Sequence, residues 1–294
     1  MSRKFPSSGS SSAFIVVGLV VVAAAYATLL WTHISSYAAG ADSSGYMNYA
    51  KLLIHGQLLA PVRPLPGFIP TDFGEMAYQP LGFRIRGDSG FMSPTYAVGL
   101  PLQLAAATLL VGVKNSVKLV NILAALAAAL LMYLSCRYLK LGRAWAVAAT
   151  CVLCTSSFFL IQALVPMSDL LATTWALAAL YAAMRSRERA AWTVMCGFAA
   201  SIAVLVRPSN ALLVFPLIVA FRFNLRQYPL AVLGALPGGL LLSYINSRTF
   251  GTLPLWQSTG YSSPMEILNA FAFDPTKQFS IAYFSHHAWN FALW

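Results

Sequence analysis

Three charged residues stand at breaks in a chain that otherwise avoids charge, and each could do chemistry at a membrane surface. Asp42, in Gly40-Ala41-Asp42-Ser43-Ser44-Gly45-Tyr46, follows a hydrophobic run of about 19 residues, roughly Ala13 to Trp31, which is long enough to cross a bilayer. Asp169, in Val165-Pro166-Met167-Ser168-Asp169, occupies a short turn between apolar runs, where ionisable groups are costly and usually partnered. Arg207, in Arg207-Pro208-Ser209, interrupts about 32 apolar-rich residues bounded by cationic clusters. A carboxylate so placed can bind a cation, hold a hydroxyl or accept a proton. A guanidinium at headgroup depth needs an anion, and a phosphate fits its fork. Each residue also has a plainer reading. The aspartates could cap helices, and the arginine could pair with an internal carboxylate or snorkel to lipid headgroups.

The elements that carry these residues must be membrane helices. Hydrophobic residues make up 59% of the chain, charged residues 9%, and the mean hydropathy is +0.68, a balance that excludes a water-soluble domain. The formal charge of +11 does not mark a nucleic-acid binder, because it is spread in short clusters between apolar runs. Arg137/Lys140/Arg143, Arg185/Arg187/Arg189 and Arg222/Arg226 read as cytoplasmic loops under the positive-inside rule. Cys136, Cys151, Cys154 and Cys196 all fall inside apolar runs, as small buried side chains rather than a redox pair.

Apolar runs predict helices near 13–33, 94–113, 117–136, 144–165, 168–184, 190–206, 209–221 and 229–246. Placing every basic cluster on one side requires that 94–113 lie in the interface or re-enter, and its two prolines and glycine suit that. The fold class expected is therefore an all-α polytopic membrane protein. It has about seven spans and an outer loop over 34–116, which is too aromatic for disorder. Residues 1–247 form the transmembrane domain, and 248–294 begin a later outer loop. Asp42, Asp72, Glu75, Asp88, Asp169, Glu266 and Asp274 then all lie outside, and Glu188 alone lies inside.

Within the loop, residues 44–55 predict an interfacial amphipathic helix, capped by Ser43 or Ser44, with Asp42 at its amino-terminal end. Its polar side carries Asn48, Lys51 and His55, and the last two are candidates for binding substrate or phosphate. Arg84 and Arg86 could hold a pyrophosphate or simply face solvent, while Lys114 and Lys118 read as interfacial anchors. His286-His287 has no partner at metal-ligand spacing, so no metal site and no cofactor is expected.

A family resemblance follows from the order of motifs. Asp42-Ser-Ser-Gly-Tyr-Met-Asn-Tyr-Ala-Lys-Leu-Leu resembles the first-loop acidic motif of the C-type glycosyltransferases, with its trailing GYxxYAxxL helix. Ser93-Pro94-Thr95-Tyr96-Ala97-Val98-Gly99-Leu100-Pro101-Leu102 is similar to their PPLYPLLLAL segment. Lys118-Leu-Val-Asn121 with Arg137-Tyr-Leu-Lys-Leu-Gly-Arg143 resembles the second span, and Pro166-Met-Ser-Asp169 the turn with the second acid. Arg207-Pro208 matches a recurrent break, and Tyr244 to Tyr261 resembles the opening of a later loop. The protein-mannosyltransferase and aminoarabinose-transferase-like members of the bacterial branch are the most similar.

The resemblance implies inverting sugar transfer from a polyprenyl-phosphate donor to a lipid, glycan or protein acceptor. The reaction would occur on the periplasmic or extracellular face of the plasma (inner) membrane, with a cytoplasmic amino terminus. Asp42 is then general base or orienting carboxylate, with Asp169 assisting. Arg207, with Arg84 or Arg86, stabilises the departing phosphate. Two departures stand out: Asp42 is single where relatives carry an acidic pair, and the sequence stops at Trp294, as expected either of an amino-terminal fragment or of a minimal, inactive version. A lipid-linked-substrate transporter or a non-catalytic membrane subunit would share the broken helices and membrane-level charges.

Overall fold

The computed structural model describes residues 9–38, 40–63, 67, 80, 82–86, 90–222 and 224–250. They form ten α-helices, one 3-10 helix and three short strands. The helices are α1 (Gly9–His33), α2 (Ala41–Ile54), α3 (Gly99–Val111), α4 (Val113–Tyr138), α5 (Arg143–Thr155), α6 (Ser157–Leu164), α7 (Ser168–Arg185), α8 (Ala190–Val206), α9 (Val214–Ala220) and α10 (Gln227–Phe250). The 3-10 helix Pro208–Leu213 leads into α9. Two helices, α4 and α10, are long and apolar enough to cross a membrane, and α5 with α6 makes a third if their bend lies within one span. The helices also expose large apolar side chains such as Leu109, Leu110, Trp145, Phe158, Phe215 and Leu240. So much outward apolar surface suits lipid and would be a liability in water.

The contacts fix which end of each helix meets which. Ser35 donates its backbone N–H to Leu164 O at 3.0 Å, so α1 and α6 finish together. Asn121 of α4 donates to Ala163 O at 3.0 Å and Val165 O at 2.8 Å, and Thr174 of α7 reaches Ala124 O at 3.0 Å. Helices α4 and α7 therefore run side by side in one direction, away from the 164–168 turn. Arg207 returns to Asp169 at the start of α7, while Phe221 packs with Ala182 and Ala183 near its end. The stretch 208–221 consequently runs back along α7. Helix α10 then rises beside α8, matching Ala231 to Gly197 and Ile245 to Leu205.

This weave separates the charges. Arg185, Arg187, Arg189, Arg222 and Arg226 share the end where α7 stops and α10 starts, and the C-terminus of α4 carries Arg137 towards it. Asp42, Asp169 and Arg207 share the opposite end. Helix α3 spans only about 20 Å at 1.5 Å per residue. It begins against Val206 and passes at Gly112 into the start of α4, so both its ends stay at the aspartate end.

Three differences from the sequence expectation have local causes. The helix expected over 144–165 breaks at Ser156, whose hydroxyl accepts the Phe159 N–H to start α6 afresh, and the two halves bend by 55°. The segment after Arg207 opens as a 3-10 helix because Pro208 removes a donor at its first position. Residues 94–98 are not helical. Pro94 ends strand β3 (Phe91–Pro94), which lies between β1 (Ala60–Pro61) and β2 (Phe83–Ile85) in an antiparallel sheet. Strands of two to four residues leave too short an alternation to read from sequence.

Helices α8 and α10 approach through glycine. A Cβ added at Gly234 would overlap the carbonyl of Val194, and one at Gly197 the carbonyl of Ala231, so backbone packs directly on backbone. Gly239, one turn on, faces open space. Gly234→Ala is therefore expected to destabilise the purified protein by about 1–3 kcal/mol. Gly239→Ala should be neutral or gain up to about 1 kcal/mol of helix propensity. Thermal unfolding in detergent checks the pair, and equal melting temperatures would contradict this packing.

Candidate functional site

At the start of α2, Gly40 takes an extended conformation at the N-cap, and no side chain caps the helix. The serines expected to do so are used elsewhere. Ser43 is buried, with its hydroxyl 3.7 Å from Met167 Sδ, and Ser44 Oγ accepts from Asn48 Nδ2 at 3.2 Å. Asp42 falls within the first turn, where the helix dipole favours negative charge, and its side is exposed. Its carboxylate accepts a hydrogen bond from the Tyr96 phenol, Oη to Oδ1 2.6 Å.

Tyr96 is seated by two glycines. A Cβ at either Gly45 or Gly82 would collide with its ring, and Gly82 also uses a left-handed φ of +88° that favours glycine. The opposite contact is Tyr46, with ring centroids 4.8 Å apart and planes tilted by 44°. The β2–β3 pairing brings Gly82 into position, and Thr95 N–H extends it by donating to Gly82 O at 3.0 Å. Burial and the Asp42 carboxylate together push the Tyr96 phenol above the ordinary tyrosine range, so it stays a donor.

The second acid arrives on the 164–168 turn. Asn121, almost fully buried on α4, holds that turn by its two bonds to Ala163 and Val165 carbonyls. Ser168 then accepts from Tyr46 Oη at 3.0 Å, which ties α7 to α2. The next residue, Asp169, forms an ion pair with Arg207. Arg207 is extended between α8 and the 3-10 helix, as a residue before proline must be. Asn210 closes the break by donating from Nδ2 to Ala203 O at 3.0 Å. The plainer reading of Arg207, a partner for an internal carboxylate, thus describes its resting contact. Nor is either aspartate a side-chain cap: the N-cap positions are Gly40 and Met167.

Two cavities meet at the Asp169–Arg207 pair. One, of about 220 Å³, mixes polar groups from Asp42, Tyr46, Thr95, Tyr96, Ser168, Asp169 and Arg207 with apolar ones from Ala97, Met167, Val206 and Pro208. The other, of about 330 Å³, is an open groove that follows α7 through Thr173, Ala176, Leu177 and Leu180, with Asp169, Arg207 and Asn210 also in its lining. The pair is partly open to solvent, its side chains 46% (Arg207) and 21% (Asp169) exposed. Among the described residues no three His, Cys, Asp or Glu side chains gather that could hold a metal ion.

Of the residues singled out in the sequence, Asp42, Asp169 and Arg207 come together. Lys51 and His55 do not: they lie exposed at the far end of α2, about 13 and 20 Å along the axis from Asp42. Arg84 is an exposed strand residue opposite Ser93, Arg86 follows it, and neither lines either cavity. Lys118 sits over the Trp31 ring at 5.1 Å, in keeping with an anchoring role. Asp72, Glu75, Asp88, Glu266, Asp274, His286, His287 and the motif beyond Phe250 lie outside the described residues. Sequence reasoning gave no role to Tyr96, Tyr46 or Ser168. Their signals are the loop's aromatic content, for the two tyrosines, and a place inside the quoted motifs, for all three; neither says which ring meets a carboxylate.

No protein-family model, curated protein or solved structure matches the chain.

The turn that delivers Ser168 and Asp169 depends on Asn121. Asn121→Leu should remove its bonds to both carbonyls, of which Val165 O keeps the Met167 N–H at 2.8 Å while buried Ala163 O loses its side-chain donor, and destabilise the protein by about 1–3 kcal/mol. The local effect should appear as faster amide exchange over 163–169 by mass spectrometry. Unchanged exchange there would show that the turn is held by other contacts.

Proposed function

We propose that this chain is a polytopic C-type glycosyltransferase that moves a sugar from a polyprenyl-phosphate donor to an acceptor hydroxyl on the outer face of the plasma membrane. The observation that carries the reading is the convergence of Asp42, Asp169 and Arg207 on one cleft from three separate elements. In a bilayer, α1, α4, the α5–α6 pair, α7, α8, the 208–220 segment and α10 make seven alternating passes. Residues 34–116 form the outer loop, with α2, α3 and the small sheet lying in it. The basic clusters at the far end of the bundle support a cytoplasmic assignment there, and hence an outward cleft.

The chemistry suits the arrangement. The acceptor oxygen bonds to the anomeric carbon while the bond from that carbon to the bridging phosphate oxygen breaks. The electron pair stays on the phosphate, the acceptor proton passes to Asp42, and the configuration inverts. Arg207 faces the added phosphate charge as it develops, which is where electrostatic help accelerates a reaction. To do so it must leave Asp169, and an ion pair this exposed is worth only about 0–1 kcal/mol, so the exchange is cheap. Asp169, once released, is free to hold a sugar or acceptor hydroxyl. The groove along α7 would take the first part of the apolar tail. A transporter needs its charges near the bilayer midplane, whereas these lie at one end of the bundle.

Transfer of labelled sugar from a panel of polyprenyl-phosphate donors, in membranes carrying the full-length protein, tests the reading. Asp42→Asn should abolish transfer while insertion and donor binding persist. Arg207→Met should weaken binding of polyprenyl phosphate by roughly 10-fold or more, the loss of one charge-assisted contact. Wild-type turnover in Asp42→Asn would remove the assignment, and lipid translocation without transfer would favour a flippase.

A further inference from the structure

We propose that Tyr96 is a positioning residue for the transfer reaction: its hydroxyl fixes the Asp42 carboxylate through Oδ1 and leaves Oδ2 to meet the acceptor. The inference rests on the glycosyltransferase reading above. What it adds is a residue whose hydroxyl, rather than its bulk, controls the base.

Three observations support it. First, the contact is short and directional: phenol oxygen to carboxylate oxygen 2.6 Å, the range of a hydrogen bond to a charged acceptor. Second, the seat is built for this ring. Gly45 and Gly82 come from α2 and the approach to β2, and neither would tolerate a Cβ against Tyr96. A Cβ at Gly82 would also meet Gly45 Cα, so the two glycines close on each other as well as on the ring, which is held in place beside Asp42. Third, the groups facing the pair explain why Asp42 needs holding. Tyr46 lies beside Tyr96, and Asp169 and Arg207 line the same cleft. Without Tyr96, the mobile carboxylate of an exposed Asp42 would be drawn to Arg207, the one guanidinium lining that cleft among the described residues, and a base paired with Arg207 would neither meet the acceptor nor leave Arg207 for phosphate. Tyr96 binds its substrate-side neighbour, not substrate, so its effect should appear in turnover and not in donor affinity.

The experiment uses the full-length protein in detergent or nanodiscs, with two readouts. The first needs no reaction. 3-Fluorotyrosine is placed at position 96 and followed by fluorine NMR, with and without Asp42→Asn. Loss of the carboxylate should move the resonance, whereas an unmoved resonance means the two groups do not meet and overturns the proposal. The second is steady-state transfer. Tyr96→Phe should lower kcat by about 10- to 100-fold, the value of a hydrogen bond to a charged group, with donor KM unchanged. 3-Fluorotyrosine, which keeps the hydroxyl, should retain turnover. Gly45→Ala, which displaces the ring but spares the hydroxyl, should reproduce the loss, and the double variant should be no worse than the poorer single one. Additive losses, or a rise in KM alone, would mark a merely structural ring and overturn the proposal.

The outcomes separate the two levels. If Asp42→Asn is inactive and Tyr96→Phe turns over like wild type, only the role of Tyr96 falls. If Asp42→Asn turns over like wild type, or the wild type is inactive with every donor, the glycosyltransferase reading falls and the positioning role with it.

Discussion

At the aspartate-bearing end of this bundle one electrostatic constraint organises the residues around it: Arg207 carries its charge to a break between helices, where it needs an anion. Asp169 supplies it in the resting structure. That pairing joins the first turn of α7 to the end of α8, where both side chains are presented to the same point. It also explains the local sequence. Pro208 forces Arg207 out of helical conformation, Asn210 adds a second hydrogen bond to the Ala203 carbonyl that already accepts the Arg207 N–H, and Asn121 steadies the turn that brings in Asp169. None of these residues needs to touch a ligand to matter.

The pair can serve this purpose only because the helices beneath it are rigidly registered. Helix α10 packs on α8 with glycine against main chain, so a slide along the axis would drive a carbonyl into a Cβ position. Near the top of α10, Leu242 and Ile245 pack with Leu205, Val98 and Tyr49, which carries that register to the base of α2 and to the segment before α3. Gly99 meets the backbone of Val206, so α3 is locked to the residue immediately before Arg207. Small residues at depth thereby fix charged residues at the rim.

Much of this was legible in the sequence, for identifiable reasons. Helix positions follow from runs of apolar residues, and those runs are long. Asp42, Asp169 and Arg207 were visible because a charge among such residues has no bulk role. The break at Ser156 was less visible, since one serine inside an apolar run is ordinary until its hydroxyl is seen to cap the next helix. The three-stranded sheet was invisible, because strands this short are defined by partners far apart in the chain: Ala60 opposite Met92, and Arg84 opposite Ser93. Tyr96 was hidden for the same reason. Its significance depends on Gly45 and Gly82, separated from it by many residues, and no spacing rule links a tyrosine to two distant glycines.

Lys51, His55, Arg84 and Arg86 show the opposite limit. Each has chemistry suited to phosphate, and each lies in the right loop. Helical pitch nevertheless puts Lys51 and His55 several turns from Asp42, and the strand register turns Arg84 outward. Residue type nominated them, but among the described residues the cleft is lined by one guanidinium, paired with Asp169, and by two carboxylates. With one cation and two anions, a fixed division of labour requires that one carboxylate be held by something other than the cation. Tyr96 meets that requirement for Asp42 with a neutral donor, which leaves the carboxylate its charge and Arg207 its exchangeable partner. A lysine or arginine in place of Tyr96 would satisfy Asp42 more strongly, yet it would also place a second cation in the cleft to compete for the same anion. A neutral, half-buried phenol is the donor that orients one acid without altering the charge on which the other depends.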